Sequence, residues 1–317
     1  MYIYLDIVDG FACEMCGACC RSEWSVTVDE PSYQRNAALF ARTGRDEEFQ
    51  QAFVPLQGEK GLGEYAYIAK QGSGACWFLD TANRCRLHKE AGHSHLDKVC
   101  KTFPRYPMNT ARGIELTLSF SCPSVMTRVS RVAPLAVIRT DRQPAPLYPD
   151  NYVIDVYPNQ QANFSPLLYY FELEHHFIDV MQCRSMSIEE RIVLLTSTVE
   201  SINGIRRDEA FDRNLSNAIW RNYEFMDSKM PIAQPSYYTP DILLEHFFVN
   251  LIFKKLFYMY GLQRGQQLLQ NIWRYIDKIR RATIDSVTDV EHTRTAIMAA
   301  EFQYSHNRRQ LWTRYLK

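Results

Sequence analysis

The stretch CEMCGACC, residues 13–20, places four cysteines within eight positions. Three of them, Cys13, Cys16 and Cys19, follow a C-x2-C-x2-C spacing, and Cys20 comes directly after the third. Thiolates bind soft or borderline metals, and four of them complete a tetrahedral site. The stretch therefore predicts an irregular, cysteine-rich metal-binding domain in this part of the chain.

The composition is that of a globular protein with a substantial core. The chain has 317 residues, of which 46% are hydrophobic and 23% charged, and its formal net charge is zero. A chain of this kind can fold without a metal or a disulfide to hold its core. The neutral charge balance argues against a general nucleic-acid partner, since nucleic-acid-binding proteins usually carry an excess of basic residues.

The N-terminal residues MYIYLDIVDG lack the basic start of a signal peptide, and Asp6 and Asp9 interrupt their apolar run. A later apolar stretch contains Glu245 and Lys254-Lys255 and so falls short of the ~20 residues that a membrane helix needs. We therefore expect a cytoplasmic protein without a membrane partner. In a reducing compartment, clustered cysteines indicate metal binding or catalysis more often than disulfides.

Four further cysteines stand singly in the same part of the chain, namely Cys76, Cys85, Cys100 and Cys122. Structural zinc sites usually combine two C-x2-4-C pairs, which this pattern does not supply. A C-x2-C-x2-C run with a remote Cys-Pro is typical of [4Fe–4S] sites, and Cys122-Pro123 is such a pair. We predict an iron–sulfur cluster on some or all of the eight cysteines. Zinc or mononuclear iron, and reduced thiols without a metal, are the alternatives, and His88 is an alternative ligand.

The remainder of the chain is predicted to combine a hairpin with helices. Alternating apolar residues at 114–120 predict a half-buried strand that pairs with Tyr106–Met108 across a turn. A helical pattern covers residues 32–56, and another begins behind a capping box at Ser187. The stretch 243–260 is apolar on all sides, which predicts the central buried helix. Thr239-Pro240 precedes it and predicts its start. A last helix is predicted at 289–313.

Six prolines between positions 134 and 166 predict an extended connector. The fold class is therefore α+β in three parts. Residues 1–130 are predicted to form a small irregular cysteine-rich domain with a short β-hairpin, residues 131–164 a proline-rich connector, and residues 165–317 an α-helical bundle of five or six helices.

Several motifs resemble known proteins. The run at 13–20, CWFLD at Cys76, CRLH at Cys85 and CKTFPRYP at Cys100 are similar to the cysteine-cluster proteins that chelate zinc or iron. EWSVTVDEPSY at 23–33, LTLSFSCPS at 116–124 and ILLEHFFVNLIFKKLF at 242–257 resemble the flagellin lysine-N-methylase family. The first cysteine run is more compact than is usual in that family, and residues 125–240 match it poorly.

The resemblance implies methyl transfer from S-adenosylmethionine to lysine ε-amines of a flagellin-like protein substrate. It also implies an iron–sulfur cluster in the cysteine-rich domain. Arg105 lies in one of the family-like motifs, and we predict that it binds a carboxylate of the cofactor or neighbours the cluster. The chain has no G-x-G-x-x-G loop, so a methyltransferase of this kind needs an unrelated cofactor site. A cluster iron without a cysteine ligand is one such site.

Methylation requires a neutral lysine amine, so a carboxylate or a tyrosine in a desolvated pocket is expected near it. The catalytic candidates are Tyr170, Glu172 and Glu245. Glu245 lies within the apolar helix, where a carboxylate is costly unless it is paired; its alternative place is the solvent-facing edge of that helix. Two other functions stay open: a non-enzymatic interaction protein stapled by zinc, and a redox or metal-handling module.

Overall fold

The computed structural model describes residues 1–22, 24–58, 64–147, 152–230, 236–282 and 288–306. The chain divides into two compact units. The helical unit contains Met1–Gly10, Tyr106–Pro146 and Tyr152–Lys317, and the cysteine unit contains Phe11–Arg105 and Leu147–Asn151. The hairpin predicted for the cysteine-rich domain is thus grouped with the helices.

In the described residues the strands all lie before residue 157 and most of the long helices follow, and the predicted α+β class is confirmed. The strands are β1 (Tyr2–Leu5), β2 (Thr27–Val28), β3 (Phe53–Pro55), β4 (Ala66–Ile68), β5 (Arg105–Thr110), β6 (Gly113–Leu118), β7 (Val137–Thr140) and β8 (Asp155–Val156). The helices of the N-terminal part are α1 (Ala18–Arg21), α2 (Glu30–Arg42), α3 (Asp46–Ala52), α4 (Arg86–Ala91), α5 (Lys98–Thr102) and α6 (Pro123–Val129). The later helices are α7 (Tyr170–Gln182), α8 (Ile188–Asn203), α9 (Phe211–Asp227), α10 (Pro240–Phe253), α11 (Leu256–Tyr260), α12 (Leu262–Ala282) and α13 (Asp289–Glu301).

The cysteine unit has an aromatic core of its own. Strands β2, β4 and β3 form a three-stranded antiparallel sheet. Phe40, Phe49 and Phe53 contact one another with ring centroids 4.9 to 6.1 Å apart. Cys76 belongs to this core, and Cys85 packs against it. The unit therefore buries apolar surface independently of any metal.

The helix predicted at 32–56 is instead two helices followed by a strand. Asp29 caps α2 by accepting a hydrogen bond from Ser32 N at 2.8 Å. The helix ends at Arg42, and Gly44 reverses the chain with φ of 64°. After α3, residues Phe53–Pro55 pair with β4. Helical periodicity did not reveal the glycine break or the pairing.

The helical unit contains a five-stranded sheet in the order β7-β1-β6-β5-β8. Strand β1 runs parallel to β6 and antiparallel to β7. Strands β5 and β6 are neighbours joined by Ala111-Arg112, so the predicted hairpin is confirmed. The region predicted as an extended connector contributes two strands, β7 and β8, to this sheet.

Local capping signals predicted the helix starts correctly. Ser187 Oγ accepts from Glu190 N at 3.3 Å, and Glu190 Oε2 accepts from Ser187 N at 2.7 Å, which is the predicted capping box of α8. Thr239 Oγ1 accepts from Ile242 N at 3.3 Å at the start of α10. Every residue from 242 to 253 is buried, as expected for the central helix.

The central helix is shorter than predicted, because it ends at Phe253 rather than near residue 260. Lys255 takes a left-handed conformation with φ of 69°, and α11 starts after it. Lys255 is fully buried, and its Nζ donates to Glu115 Oε2 at 2.7 Å and to Glu174 Oε1 at 2.5 Å. The break in the helix therefore places an ammonium between two carboxylates.

Arg112 completes this group, and we call Arg112, Glu115, Glu174 and Lys255 the buried charge cluster. The Arg112 side chain donates to Glu115 at 2.9 Å and to Glu174 at 2.7 Å. Burial alone would raise the pKa of Glu115, but the charges of Lys255 and Arg112 outweigh it and lower that pKa. For Glu174, burial outweighs the same two cations and raises its pKa. The cluster thus pairs two cations with two carboxylates, and Glu174 is the less well compensated of the two.

Seven helices, α7 to α13, follow residue 165 in the described ranges, where five or six were predicted. Helix α13 ends at Glu301 and continues as a π-helical turn, Phe302–His306. The predicted last helix extended to 313, and residues 307–313 lie outside the described ranges. None of the helices that the structure describes is both long and apolar enough to cross a membrane.

Acid is expected to destabilise the helical unit through His176. This residue is 1% exposed, and Asn222 Nδ2 donates to its Nε2 at 2.9 Å, which requires a neutral imidazole. Burial lowers the pKa of His176 from 6.5 to about 4. Below pH 6.5, His176 therefore binds a proton in the unfolded chain but not in the folded chain. The free energy of unfolding should fall by about 3 kcal/mol between pH 6.5 and 4.

Urea unfolding at several pH values measures this dependence. The His176→Gln variant should lose much of the slope between pH 6.5 and 4, and an unchanged slope would contradict the assignment. His246, whose pKa is also lowered chiefly by burial, leaves a residual slope of the same sign.

Candidate metal centre

Five thiols of the cysteine unit, on four segments, lie within electrostatic range of one another. Their charges act on one another, since the thiol of Cys100 is affected by three of the others and that of Cys85 by two. We call this group the thiol cluster; its members are Cys19 and Cys20 on α1, Cys76 after β4, Cys85 before α4, and Cys100 on α5. No disulfide joins any of the nine cysteines, all of which lie in described ranges.

Cys20 is the link between two other members of the thiol cluster. Its Sγ lies 3.9 Å from Cys19 Sγ, and its thiol also hydrogen-bonds Cys76. The backbone N–H of Cys76 donates to the Cys20 carbonyl at 2.7 Å, which holds the two segments together. The contact with the Cys20 thiol is the largest factor that lowers the pKa of Cys19 and that of Cys76 to about 7, whereas the pKa of Cys20 is raised. Because this thiol has one proton, it donates to one of the two sulfurs at a time. Cys19 and Cys76 are therefore partly thiolate at neutral pH, the form that binds metals.

Backbone N–H groups stabilise the negative charge on two sulfurs. In each case the donor follows the cysteine by two or three residues, an arrangement that favours the thiolate because the hydrogen bond is stronger to a charged acceptor. The donors are Phe78 to Cys76, and Leu87 and His88 to Cys85. His88 thus contributes its backbone to the site.

Desolvation raises the pKa of two other members of the thiol cluster. For Cys85 burial outweighs the backbone donors. Part of Cys100 is exposed to solvent, yet desolvation followed by the charge of Asp97 raises the pKa of its thiol well above 9.0. A bound cation would reverse both effects, because it favours the deprotonated sulfur.

Cys13 and Cys16 are exposed on the loop that leads into α1. Gly17 turns this loop with φ of 69°, and a Cβ there would lie 3.1 Å from Asn83 Cβ. Arg21 Nη2 donates to the Cys16 carbonyl at 2.8 Å, and Arg21 also hydrogen-bonds the Asn83 side chain. The loop therefore packs closely against the segment before Cys85 and is fixed to it.

Cys122 is described with the helical unit, where it is 8% exposed and occupies the N-cap position of α6. Its predicted role as the remote cysteine of the cluster stays a prediction. Arg105 is the first residue of β5, and its guanidinium lies 5.8 Å from the centroid of the Phe11 ring. Its predicted contact with the cofactor likewise stays a prediction.

The donors of the thiol cluster suit zinc or iron. Two sulfurs bound to one tetrahedral zinc at ~2.3 Å lie roughly 3.8 Å apart, close to the distance between Cys19 and Cys20. In the part of the chain that the structure describes, however, no three His, Cys, Asp or Glu side chains form a ready-made metal site. The cluster therefore fits a thiophilic metal in the kind and grouping of its donors, and a closed coordination sphere requires side-chain rotation.

The structure pairs Glu245, the first catalytic candidate, with two arginines. Glu245 is fully buried, and Arg184 donates to both of its oxygens, at 2.6 Å to Oε1 and 2.8 Å to Oε2. Arg191 Nη1 donates to Oε2 at 2.9 Å. The alternative place on the solvent-facing edge of the helix is wrong, because these arginines neutralise the carboxylate inside the unit.

Tyr170 and Glu172 lie in different surroundings although both are on α7. Tyr170 is fully buried against Tyr258, with ring centroids 5.1 Å apart, and burial raises its pKa well above 10.0. Glu172 is exposed. In the described residues, Glu245, Tyr170 and Glu172 do not form one cluster, and their catalytic role stays a prediction.

A cleft of about 840 Å³ lies in the helical unit. The segment 132–134, the end of α7 and the end of α9 line it, together with the charged side chains of Asp179, Arg184, Asp227 and Lys229. Arg184 links the cleft to the buried Glu245. Sequence motifs did not reveal this cleft, because its walls come from the region 125–240 that matches the family poorly.

Comparison with known proteins agrees with the site. Residues 12–122 match the CxxCxxCC family, which is described as "Putative zinc- or iron-chelating domain". This range includes the thiol cluster as well as Cys13, Cys16 and Cys122. The N-terminal part of the chain is therefore similar to a domain that is described as zinc- or iron-chelating.

The predicted resemblance to the lysine-N-methylase family is confirmed. A lysine-N-methylase of Salmonella typhimurium strain LT2 is 25% identical over 152 residues, which are 45% of this chain and 37% of the relative. One of Salmonella choleraesuis strain SC-B67 is 24% identical with the same coverage. The flagellar biosynthetic protein FliU of Salmonella muenchen is 26% identical over 124 residues, which are 38% of this chain and 72% of the relative.

The similarity thus spans 37% of the length of these lysine-N-methylases. No solved structure matches the chain.

Proposed function

We propose that the chain is a metal-containing protein-lysine N-methyltransferase that uses S-adenosylmethionine. The thiol cluster carries the proposal, because five thiols from separate segments are grouped inside the domain that matches a zinc- or iron-chelating family. The similarity to lysine-N-methylases supports the reaction. A flagellin-like protein is the proposed substrate, in line with the similarity to FliU.

The proposed metal is a [4Fe–4S] cluster. The cysteine unit carries seven cysteines, three more than one tetrahedral zinc needs. Members of the thiol cluster would hold it, with the loop cysteines Cys13 and Cys16 as further donors. When bound, such a cluster supplies Lewis-acidic iron, and an iron without a cysteine ligand offers a site for the amino and carboxylate groups of S-adenosylmethionine.

The cleft of the helical unit is the proposed binding site for the lysine side chain. Its volume of about 840 Å³ is within the range of ligand sites. Asp179 and Asp227 line it together with Arg184 and Lys229. Because Arg184 is already paired with Glu245, the two aspartates are the groups that attract an ammonium. Tyr223 donates to Asp179 Oδ2 at 2.5 Å, which fixes that carboxylate. The ε-amine loses a proton, attacks the methyl carbon, and displaces S-adenosylhomocysteine as the carbon–sulfur bond breaks. Asp179 lines the cleft and is the proposed proton acceptor there. Of the three candidates from the sequence, Glu245 is connected to the cleft through Arg184, whereas Tyr170 and Glu172 do not line it.

A second candidate is a non-enzymatic interaction protein with zinc in the thiol cluster. The distance of 3.9 Å between Cys19 Sγ and Cys20 Sγ favours it, because that spacing suits a single tetrahedral ion. A redox or metal-handling module has no comparable observation in its favour.

Incubation of the anaerobically purified protein with methyl-labelled S-adenosylmethionine and host lysate tests the proposal. We expect label on lysine of a host protein, identified by mass spectrometry as ε-N-methyl-lysine. The Asp179→Asn variant should lose most of this labelling, whereas Asp46→Asn, an exposed substitution in the cysteine unit, should not. A metal-loaded protein that labels nothing would exclude methyl transfer and leave the zinc-stapled function.

A further inference from the structure

Asp97 is a buried carboxylate whose hydrogen-bonding capacity is unused. It is 1% exposed, and neither of its oxygens has a hydrogen-bond partner in the described residues. It occupies the N-cap position of α5, where aspartate usually accepts from the first turn, but its side chain makes no such bond. Asp29 shows the contrast, because it caps α2 through Ser32 N and pairs with Lys98 at 3.0 Å.

The surroundings of Asp97 add negative charge rather than neutralise it. Desolvation and then the charge of Asp29 raise its pKa to about 7, and the thiolate of Cys76 acts in the same direction. A buried carboxylate without a hydrogen-bond partner is costly unless a cation balances it.

Neither of the two nearby cations neutralises the Asp97 carboxylate by direct contact. Arg35 and Lys101 favour the charged form of Asp97 through space, but neither donates a hydrogen bond to it. Arg35 Nη2 donates to Ser32 Oγ at 2.9 Å, and Lys101 Nζ donates to the Ser94 carbonyl at 2.9 Å. The carboxylate therefore lacks a direct cationic contact while it lies within electrostatic range of the thiol cluster.

We infer that Asp97 is an oxygen ligand of the metal centre that the thiol cluster forms, an inference that rests on the proposed metal site. Carboxylate oxygen joins thiolate sulfur among the ligands of zinc and iron. Asp97 and Cys100 lie three residues apart at the start of α5, so both would reach the metal from one helical turn. A metal ion explains both the orphaned carboxylate and the missing helix cap.

Metal affinity of full-length Asp97→Asn, measured by competition with a chelator using zinc as the probe, tests the inference. We expect binding to weaken by more than ~100-fold, beyond the ~10–100-fold that follows loss of an outer-shell partner. Asp97→Cys should retain the metal, because it supplies a sulfur instead of an oxygen. X-ray absorption at the zinc edge should show one oxygen ligand in the wild type and none in Asp97→Cys.

Two controls separate the alternatives. Asp29→Asn removes the same charge from the same neighbourhood and should leave metal affinity within about threefold, since Asp29 already has its partners. Arg35→Gln should also leave it unchanged. If Asp97→Asn keeps wild-type affinity and is more stable to urea, Asp97 is merely an unpaired buried charge and the inference fails, while the metal centre and the methyltransferase proposal stand.

Discussion

The Cys76→Ser variant is expected to lose the metal of the full-length protein. Cys76 is 8% exposed and accepts hydrogen bonds from Cys20 and from Phe78 N. These contacts lower its pKa to about 7, so its thiol already favours the thiolate that binds a metal. Serine has nearly the same size but binds soft metals poorly. We expect metal content to fall to a small fraction of the wild-type value, measured by elemental analysis after gel filtration.

The matched control for this substitution is Cys183→Ser. Cys183 lies outside the cysteine unit and contacts Ser185, with Sγ and Oγ 3.2 Å apart. This variant should keep the full metal content. Equal metal in Cys76→Ser and the wild type would show that Cys76 is only a core residue, in agreement with its packing against the aromatic core.

The Lys255→Met variant should destabilise the helical unit by about 3–5 kcal/mol, because it leaves Glu115 and Glu174 buried with a single cation. Urea unfolding followed by circular dichroism measures the change. The double variant Lys255→Met/Glu174→Gln should recover part of the loss, since it removes the uncompensated carboxylate.

Recovery of stability in the double variant would show that the loss comes from the unpaired carboxylate and not from changed packing. If Lys255→Met costs less than about 1 kcal/mol, or if the second substitution adds to the loss, the buried charge cluster does not hold the break between α10 and α11.

Signals that act over a few residues could be predicted from the sequence. The capping box at Ser187, the start of α10 behind Thr239 and the hairpin before Leu118 depend on neighbouring residues alone, and all three are present. The position of the central helix followed from its apolar run. Its end did not, because the partners of Lys255 lie 140 and 81 positions away in the chain.

In the candidate site, too, the features set by nearby residues could be predicted and those set by distant residues could not. The spacing of Cys13, Cys16 and Cys19 predicted a metal-binding loop, and Gly17 turns this loop close to Asn83. Spacing does not predict which distant cysteines join it, and the structure groups Cys19 with Cys20, Cys76, Cys85 and Cys100. Asp97 was not predicted at all, because only burial without a partner distinguishes it from other aspartates.

The measurement that tests the account most directly is the count of iron, zinc and acid-labile sulfide in the anaerobically purified full-length protein, together with its visible spectrum. The account predicts a brown protein with broad visible absorption and with roughly four iron and four sulfide per chain, as a [4Fe–4S] cluster requires. A colourless protein without iron or sulfide would contradict it, whether or not zinc is present.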